Sequence, residues 1–299
     1  MPTTEVLARR AVMAALDEPG VFSANASAAT TLTIATLATA ASDHSPNLFA
    51  RNWVYVATGA AAGLVRIIRE GSFVPSTGVF NVDPGWTGPT LNDEVEITAL
   101  FPAIMADTTS GRVARTTSYR TLMNRGLSRL LVPDRVALAI TTSRTYSTAT
   151  WPWLDRETRL VRVLEPSPVS GGLPFDARWR NPKLRLDGPT PTLTLDVPFT
   201  SASGDLTLEV LRPGDTLISG AESTAGYTAA ADIAIVSLND VVAVTLLEAF
   251  AVLRQRSVAR PQGSYMDRHK EQLAICRKLA YWDWTLDSEA PAAAPVEAA

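Results

Sequence analysis

The chain has 299 residues, 46% of them apolar and 19% charged, and carries a net charge of −3. That length admits one or two domains, and the composition is that of a globular protein with a sizeable core. A single cysteine, Cys276, excludes an internal disulfide, and the two histidines, His44 and His269, are too few for a closed zinc site. No apolar run approaches the ~20 residues of a membrane-spanning helix, so no membrane partner is expected. The opening residues do not read as a secretory signal, because acidic residues interrupt them.

Charge is unevenly distributed along the chain. Residues 1–111 carry a net −5, residues 112–186 a net +9 and residues 187–299 a net −7. A basic centre between acidic ends suggests an anionic partner or complementary self-assembly. Of 27 basic residues 24 are arginine, so biased residue usage explains the belt equally well.

Residues 3–17 read as a first helix. Thr3 or Thr4 can cap it, Glu5 suits its positive end, and Val6, Val12, Met13 and Leu16 form its apolar stripe. Pro19-Gly20 stops it. The stretches 31–37, 52–58, 63–70, 76–83 and 92–100 alternate or are β-branched, with turn residues between them. They predict a small sandwich or barrel. In residues 110–131 the spacing becomes helical: Tyr119, Leu122, Met123, Leu127 and Leu130 make one stripe. Arg115, Arg120, Arg125 and Arg129 fall mostly off it, on a solvated or partner-facing side, and Pro133 is expected to end the helix. A second β-rich stretch follows, with strands expected in 135–148, 159–166 and 183–213.

Residues 229–256 predict a long helix starting at Asp232 or Asn239, with Val242, Leu246, Ala249, Phe250 and Leu253 on its apolar face. Pro261 and Gly263 mark a tight connection to a last helix over 264–286, where Leu273, Cys276, Leu279 and Ala280 face one way. The segment 287–299 is of low complexity and is expected to lack structure by itself. The fold class expected is therefore α+β: two small antiparallel β-sandwich- or barrel-like modules, an Arg-rich helix between them and a C-terminal helical hairpin. The partition is 1–20 N-terminal helix, 21–109 first β-module, 110–135 Arg-rich helix, 136–220 second β-module, 229–286 helical hairpin and 287–299 extended Ala/Pro tail.

Catalytic motifs are not found. There is no P-loop and no G-x-S-x-G; Gly59 to Gly63 reads as a β-turn and 220–226 as a loop. His44 sits in a polar loop, and His269 lies in a charged helical stretch. Asp93, Glu94 and Glu96 could bind a hard cation. They read instead as a solvated strand edge, Glu94 and Glu96 on one face, Val95 and Ile97 on the other. Asn25-Ala-Ser27 matches a glycosylation acceptor by chance. Cys276, among Leu273 and Leu279, reads as a core cysteine. Trp151, Trp153 and Trp179 suit packing anchors, while Trp282 and Trp284, just before the tail, point to docking there. No catalytic residue, metal or cofactor is expected. A virion glycosidase is set aside because thirty acidic residues guarantee carboxylate pairs by chance.

The residues Thr77-Gly78, Asp83-Pro84-Gly85-Trp86 and Asn92-Asp93-Glu94, then the helix 119–133, Trp153-Leu154 and the helical end 246–284, together resemble virion proteins of tailed bacteriophages. The likeness is to neck, or head-to-tail adaptor (connector), proteins. It implies a homo-oligomeric ring, twelve-fold in such proteins, joining portal to tail around the DNA channel. The chain would be made in the host cytoplasm and end in the virion. Portal and tail or neck proteins would be its partners, and contact with packaged DNA would be non-specific. Arg115, Arg120, Arg125, Arg129, Trp282 and Trp284 are the interface candidates. The alternative is a capsid decoration or baseplate/fibre-type binding protein that uses its β-modules.

Overall fold

The computed structural model describes residues 3–28, 30–38, 45–59, 61–83, 85, 93–104, 117–139, 141–151, 153–154, 160–164, 179–180, 183–185, 192–194, 205–218, 226–256 and 263–279. His44, Trp86, Arg115, Trp282, Trp284, most of the 220–226 loop and the 287–299 tail lie outside them. In chain order the elements are β1 (Thr3–Thr4), α1 (Glu5–Ala15), β2 (Gly20–Ala28), β3 (Thr31–Thr33), β4 (Trp53–Val56), β5 (Val65–Ile68), β6 (Val79–Asp83) and β7 (Asp93–Thr98). Then come α2 (Tyr119–Ser128), β8 (Leu131–Ala139), β9 (Thr145–Ser147), β10 (Leu160–Leu164), β11 (Trp179–Arg180), β12 (Lys183–Arg185), β13 (Thr192–Thr194), β14 (Asp205–Pro213), β15 (Ile233–Ala234), α3 (Leu238–Arg256) and α4 (Gly263–Cys276). The chain is thus α+β. It divides into two compact units, Met1–Gly126 with Tyr227–Cys276, and Leu127–Gly226 with Arg277–Ala299. The N-terminal helix, the first β-module and the helical hairpin therefore belong to one unit.

In that first unit, α1 begins where Thr4, in extended conformation, accepts a hydrogen bond from the Leu7 N–H at 3.3 Å. Thr3 and Thr4 themselves pair with Ala234 and Ile233 as a two-stranded ribbon rather than starting the helix. Six strands, all antiparallel, close into a barrel in the order β2-β3-β6-β5-β4-β7. Period-two alternation makes closure possible, because every second residue of each strand points inward. Leu32, Ile34, Val54, Val56, Ile68, Phe80, Val82, Val95 and Ile97 are the inward set, and together with Phe73 they fill the interior. Each such apolar side chain contributes roughly 1.5–3 kcal/mol on burial.

The hairpin turn before β6 depends on Gly78. Its φ is +67°, its N–H donates to Val74 O at 2.9 Å, and its carbonyl accepts from Ile34 N at 2.9 Å. A β-carbon there would run into the Ile34 carbonyl oxygen. Gly78→Ala is expected to lower stability by ~1–3 kcal/mol in urea unfolding, from the left-handed strain and the displaced β3–β6 contact. A loss below about 0.5 kcal/mol, the size of an ordinary surface change, refutes this account of the turn.

Helices cover the barrel's flank. Val12, Met13 and Leu16 of α1 join Phe101, Tyr119, Leu122, Ala249, Phe250 and Leu253 in a second core. Gly126 lets α2 lie close on α3, since a β-carbon there would sit 2.8 Å from the Val244 carbonyl carbon. Helix α3 starts at Leu238, next to the expected start at Asn239 and well after Asp232. Ser237 is the reason: its Oγ accepts from Asp240 N at 3.2 Å and donates to Asp240 Oδ2 at 2.7 Å, a reciprocal cap. The last helix ends at Cys276, ten residues short of the expected 286, within the described chain.

The second unit contains a four-stranded antiparallel sheet, β11-β10-β14-β8, and a three-stranded one, β12-β13-β9. Tyr146, Trp153, Leu154, Leu193, Leu206, Leu208 and Val210 form its core. The Tyr146 hydroxyl donates to Thr141 O at 2.9 Å and accepts from Thr141 N at 3.2 Å, pinning the turn before β9. The Arg-rich helix expected over 110–135 is corrected here. Helix α2 ends at Ser128, and Pro133 does not terminate it but is the third residue of β8, opposite Leu211. Residues 131–139 carry a period-two pattern that pairs over its whole length with β14, and that ladder outweighs the helical reading.

Candidate functional site

The densest group of ionisable side chains lies where α1 crosses the outer face of the barrel. Glu5 and Arg9 are one helical turn apart and share a face of α1. Glu94 and Glu96 share the outward face of β7, because Val95 and Ile97 between and beside them point into the barrel. Arg9 donates through Nε to Glu96 Oε2 at 2.7 Å and through Nη2 to Glu96 Oε1 at 3.1 Å, while its Nη1 pairs with Glu5. Arg10 bridges Glu96, at 2.9 Å, and Glu94, at 2.7 Å. Arg120 of α2 completes the group, 3.5 Å from Glu5, and its Nη1 donates to Thr228 O at 2.7 Å. The Arg9 guanidinium lies 4.7 Å from the centre of the Tyr55 ring.

Three arginines thus meet three glutamates, and the side chains of Glu5, Arg9 and Glu96 are 0% exposed. Burial pulls the Arg9 guanidinium down, but its hydrogen bonds to Glu96 and the fields of Glu5 and Glu96 outweigh that and hold the group above its ordinary value. Burial raises the Tyr55 hydroxyl, with Arg9 opposing. The same forces act on Tyr227, raised by burial and then by the Glu5 and Asp232 charges. Its hydroxyl donates to Thr3 O at 3.1 Å. A charge-balanced cluster of this kind, dry at its Glu5, Arg9 and Glu96 centre and open at Glu94, braces helix to barrel.

The reading of Glu94 and Glu96 as a solvated strand edge is corrected for Glu96, which α1 buries against two arginines, whereas Glu94 on the same face keeps a 44% exposed side chain. Asp93 is buried too, 4% exposed. Sequence alone missed the partners because Arg9 and Glu96 are 87 residues apart. The signal available was the spacing of Glu5 and Arg9 on a helix whose other residues, Arg10 apart, are apolar.

Beside the cluster, Asp232 organises the approach to β15. Its Oδ2 accepts from Thr228 N at 2.6 Å, Thr228 Oγ1 at 2.8 Å and Ala229 N at 2.7 Å. Burial, the largest single influence, raises this carboxyl, but the Ala229 and Thr228 donors and the Arg120 charge together more than offset it and hold it below its usual range. Asp232→Asn is expected to cost ~0.5–1 kcal/mol at pH 7, a modest figure because water screens a carboxylate this open. A depressed carboxyl stabilises the fold above its unfolded value of about 4 and loses that contribution as pH falls through the folded value. The gap between Asp232→Asn and the parent chain should accordingly narrow between about pH 5 and pH 3 in urea titrations. A gap that stays constant or widens contradicts the assignment.

The other candidates are placed as follows. Arg120 is turned inward, its side chain 19% exposed. Arg125 is exposed on α2, and Arg129, just beyond the helix, is half-buried. Trp153 is a packing anchor, 7% exposed, with the Arg212 guanidinium 5.3 Å from its ring centre. Arg212 is itself held by Asp134 at 3.2 Å and by Thr216 Oγ1 at 2.9 Å. Cys276 is fully buried, as a core cysteine should be, with its thiol 3.5 Å from Ala243 O. His269 is half-buried on α4. Among the described residues no three His, Cys, Asp or Glu side chains are grouped to hold a metal ion, and no helix is long and apolar enough to cross a membrane.

Within the second unit the basic stretch of the sequence is joined to an acidic one, and its Leu127–Gly226 segment holds 11 basic and 11 acidic residues. Glu209 on β14 stands in register with Arg135 on β8 and Arg162 on β10, and Arg135 reaches it at 2.7 Å. No family model, curated protein or solved structure matches the chain.

Proposed function

We propose that this protein is a structural component of a tailed-phage virion, with a neck adaptor ring joining portal to tail as the specific position. The support lies on α1, which leaves an apolar strip uncovered, apart from the face that buries Val12 and Met13. Its charged residues Glu5, Arg9 and Arg10 turn toward the barrel and are consumed there, whereas Leu7, Ala14 and Ala15 face outward, Leu7 being 50% exposed. A helix that spends its charges internally and shows apolar side chains outside suits a subunit that works by contact with other proteins. The resemblance of 63–97 and 246–284 to neck proteins supplies the particular assembly.

The test is the mass of the full chain by light scattering, alone and mixed with portal and tail partners, before and after removal of the chain from Asp287 onward. A discrete ring, free or portal-dependent, is the expected result, and its loss on truncation makes the tail part of the contact. A monomer under every condition overturns the proposal. Arg120→Ala belongs outside this test, since Arg120 braces the fold. Arg125→Ala and Arg129→Ala are the informative arginine variants, and should weaken assembly without loss of the folded signal in circular dichroism.

A further inference from the structure

Strand β8 lies at the edge of its sheet. β14 runs along one side, and no strand among the described residues runs along the other. Two residues show which backbone groups point outward. Pro133 has no N–H yet sits opposite Leu211 without a break in the register, and the Arg135 N–H donates to the neighbouring carboxylate, Asp134 Oδ1, at 2.8 Å rather than to β14. Pairing groups alternate along an antiparallel strand, so residues 133, 135, 137 and 139 turn their backbone groups away from β14. The two halves of that edge differ. Pro133 offers no donor, Asp134 occupies the donor of Arg135, and Arg135 adds a charge; such devices keep an edge from pairing. Ala137 and Ala139 carry none of them. Both are exposed, and among the described residues no backbone bond reaches their outward side. On the opposite face of the strand, Val136 and Leu138 lie half-buried at the rim of the second unit's core.

We propose that residues 135–139 of β8 pair antiparallel with the same residues of a second copy of this chain, about a two-fold axis through Ala137. Outward backbone groups must face outward backbone groups, and the side chains then choose the register. With the axis at Ala137, Arg135 stands opposite the partner's Ala139, Val136 opposite the partner's Leu138, and Ala137 opposite itself. The alanines allow close approach, and the Val136–Leu138 pairs cover both half-buried side chains and join the two cores. Pro133 falls outside the paired stretch. An axis at Arg135 sets two like charges face to face, and an axis at Val136 brings Pro133 into the ladder and Asp134 opposite a leucine. Five residues on each side make a small contact, so association depends on concentration. The contact is isologous and closes at two copies, whereas ring contacts run head to tail. It therefore goes beyond the neck reading and stands or falls separately from it.

The test follows the mass of the full chain by light scattering from about 1 to 100 µM, a range suited to a small interface. The mass is expected to double over that range. Ala137→Pro removes an N–H that β14 does not use, as Pro133 shows is tolerated in this strand, and should abolish the rise with circular dichroism unchanged. Ala137→Lys keeps the N–H but sets two ammonium groups face to face across the axis, and should weaken pairing about fivefold. Ala137→Cys should oxidise to a disulfide-linked dimer, its two α-carbons lying about 5.5 Å apart. Arg135→Cys should not, since its two copies lie about 14 Å apart. A constant mass overturns the proposal. So does a dimer that both Ala137→Pro and Ala137→Lys leave intact, or equal cross-linking of Ala137→Cys and Arg135→Cys. A constant mass in a chain whose Ala137→Pro variant no longer joins portal and tail partners gives the edge to a strand of another protein, which also overturns the second-copy assignment. A chain that shows no pairing but still forms a ring with its partners removes this contact alone and leaves the virion reading standing.

Discussion

Arg9→Met is expected to destabilise the first unit by ~3–5 kcal/mol, because it strands two carboxylates that have no access to water. Glu5 and Glu96 are both 0% exposed, and Arg9 is the one residue that joins them. Without it Glu96 keeps Arg10 at 2.9 Å and Glu5 keeps only the longer pair with Arg120 at 3.5 Å. In a unit of this size each kcal/mol moves Tm by about 2–4 °C, so thermal unfolding should fall by roughly 10 °C. Arg9→Lys should recover little, since one ammonium cannot reproduce the forked contact to both partners. The informative companion is the triple change Glu5→Leu, Arg9→Met and Glu96→Leu. Replacing a whole buried ion group by apolar side chains is often neutral or stabilising, so the triple variant should be markedly more stable than Arg9→Met alone. A single-variant loss under about 1 kcal/mol sinks the description of the cluster as buried and mutually dependent.

Phe80→Ala is expected to have a comparable effect, ~3–5 kcal/mol, for a different reason. Phe80 is 0% exposed in the barrel interior and stacks on Phe73 at 4.6 Å between ring centres, with Phe49 on another side at 6.0 Å. Phe49 is itself held at a φ of +55°, a conformation that bulky residues rarely adopt. Its packing against Phe80 and Phe22 is what offsets that strain. Removing the central ring thus leaves a cavity and also frees a strained neighbour. A closed barrel cannot collapse around the void as an open sheet can, which places the expectation toward the upper part of the range. Phe80→Leu should lose about half as much. Urea unfolding at matched m-values separates these outcomes. Equal stability of Phe80→Ala and the parent chain removes the filled interior from the account of the barrel.

How much of this was legible beforehand depended on the distance over which each decision is made. Local rules carried the start of α1, since Thr4 caps it from three residues away, the strand character of the stretches that hold β4, β5, β6 and β7, and the inward Val95 and Ile97 of β7. They carried the stripe of Tyr119, Leu122 and Met123 on α2, the Ala249, Phe250 and Leu253 face of α3, and the burial of Cys276. The start of α3 was within reach as well: the Ser237 to Asp240 cap is a short-range signal that competed with two plausible alternatives.

Other features were decided only by the assembled fold. Glu96 looks solvated in a strand read by itself, and becomes a buried anchor because α1, 80-odd residues earlier, lays Arg9 and Arg10 across it. Pro133 ends a helix by local preference and sits in a strand because β14 offers a partner for all nine residues of β8. Arg135 and Arg162 of the basic centre stand in register with Glu209 because only the sheet order brings β14 between β8 and β10. The physical division is the same in each case. Periodicity, capping and turn chemistry act through neighbours within about one helical turn or one strand pair, so one chain segment suffices to state them. The fate of a charge depends on what covers it and which opposite charge arrives. Both are set by chain closure over tens of residues.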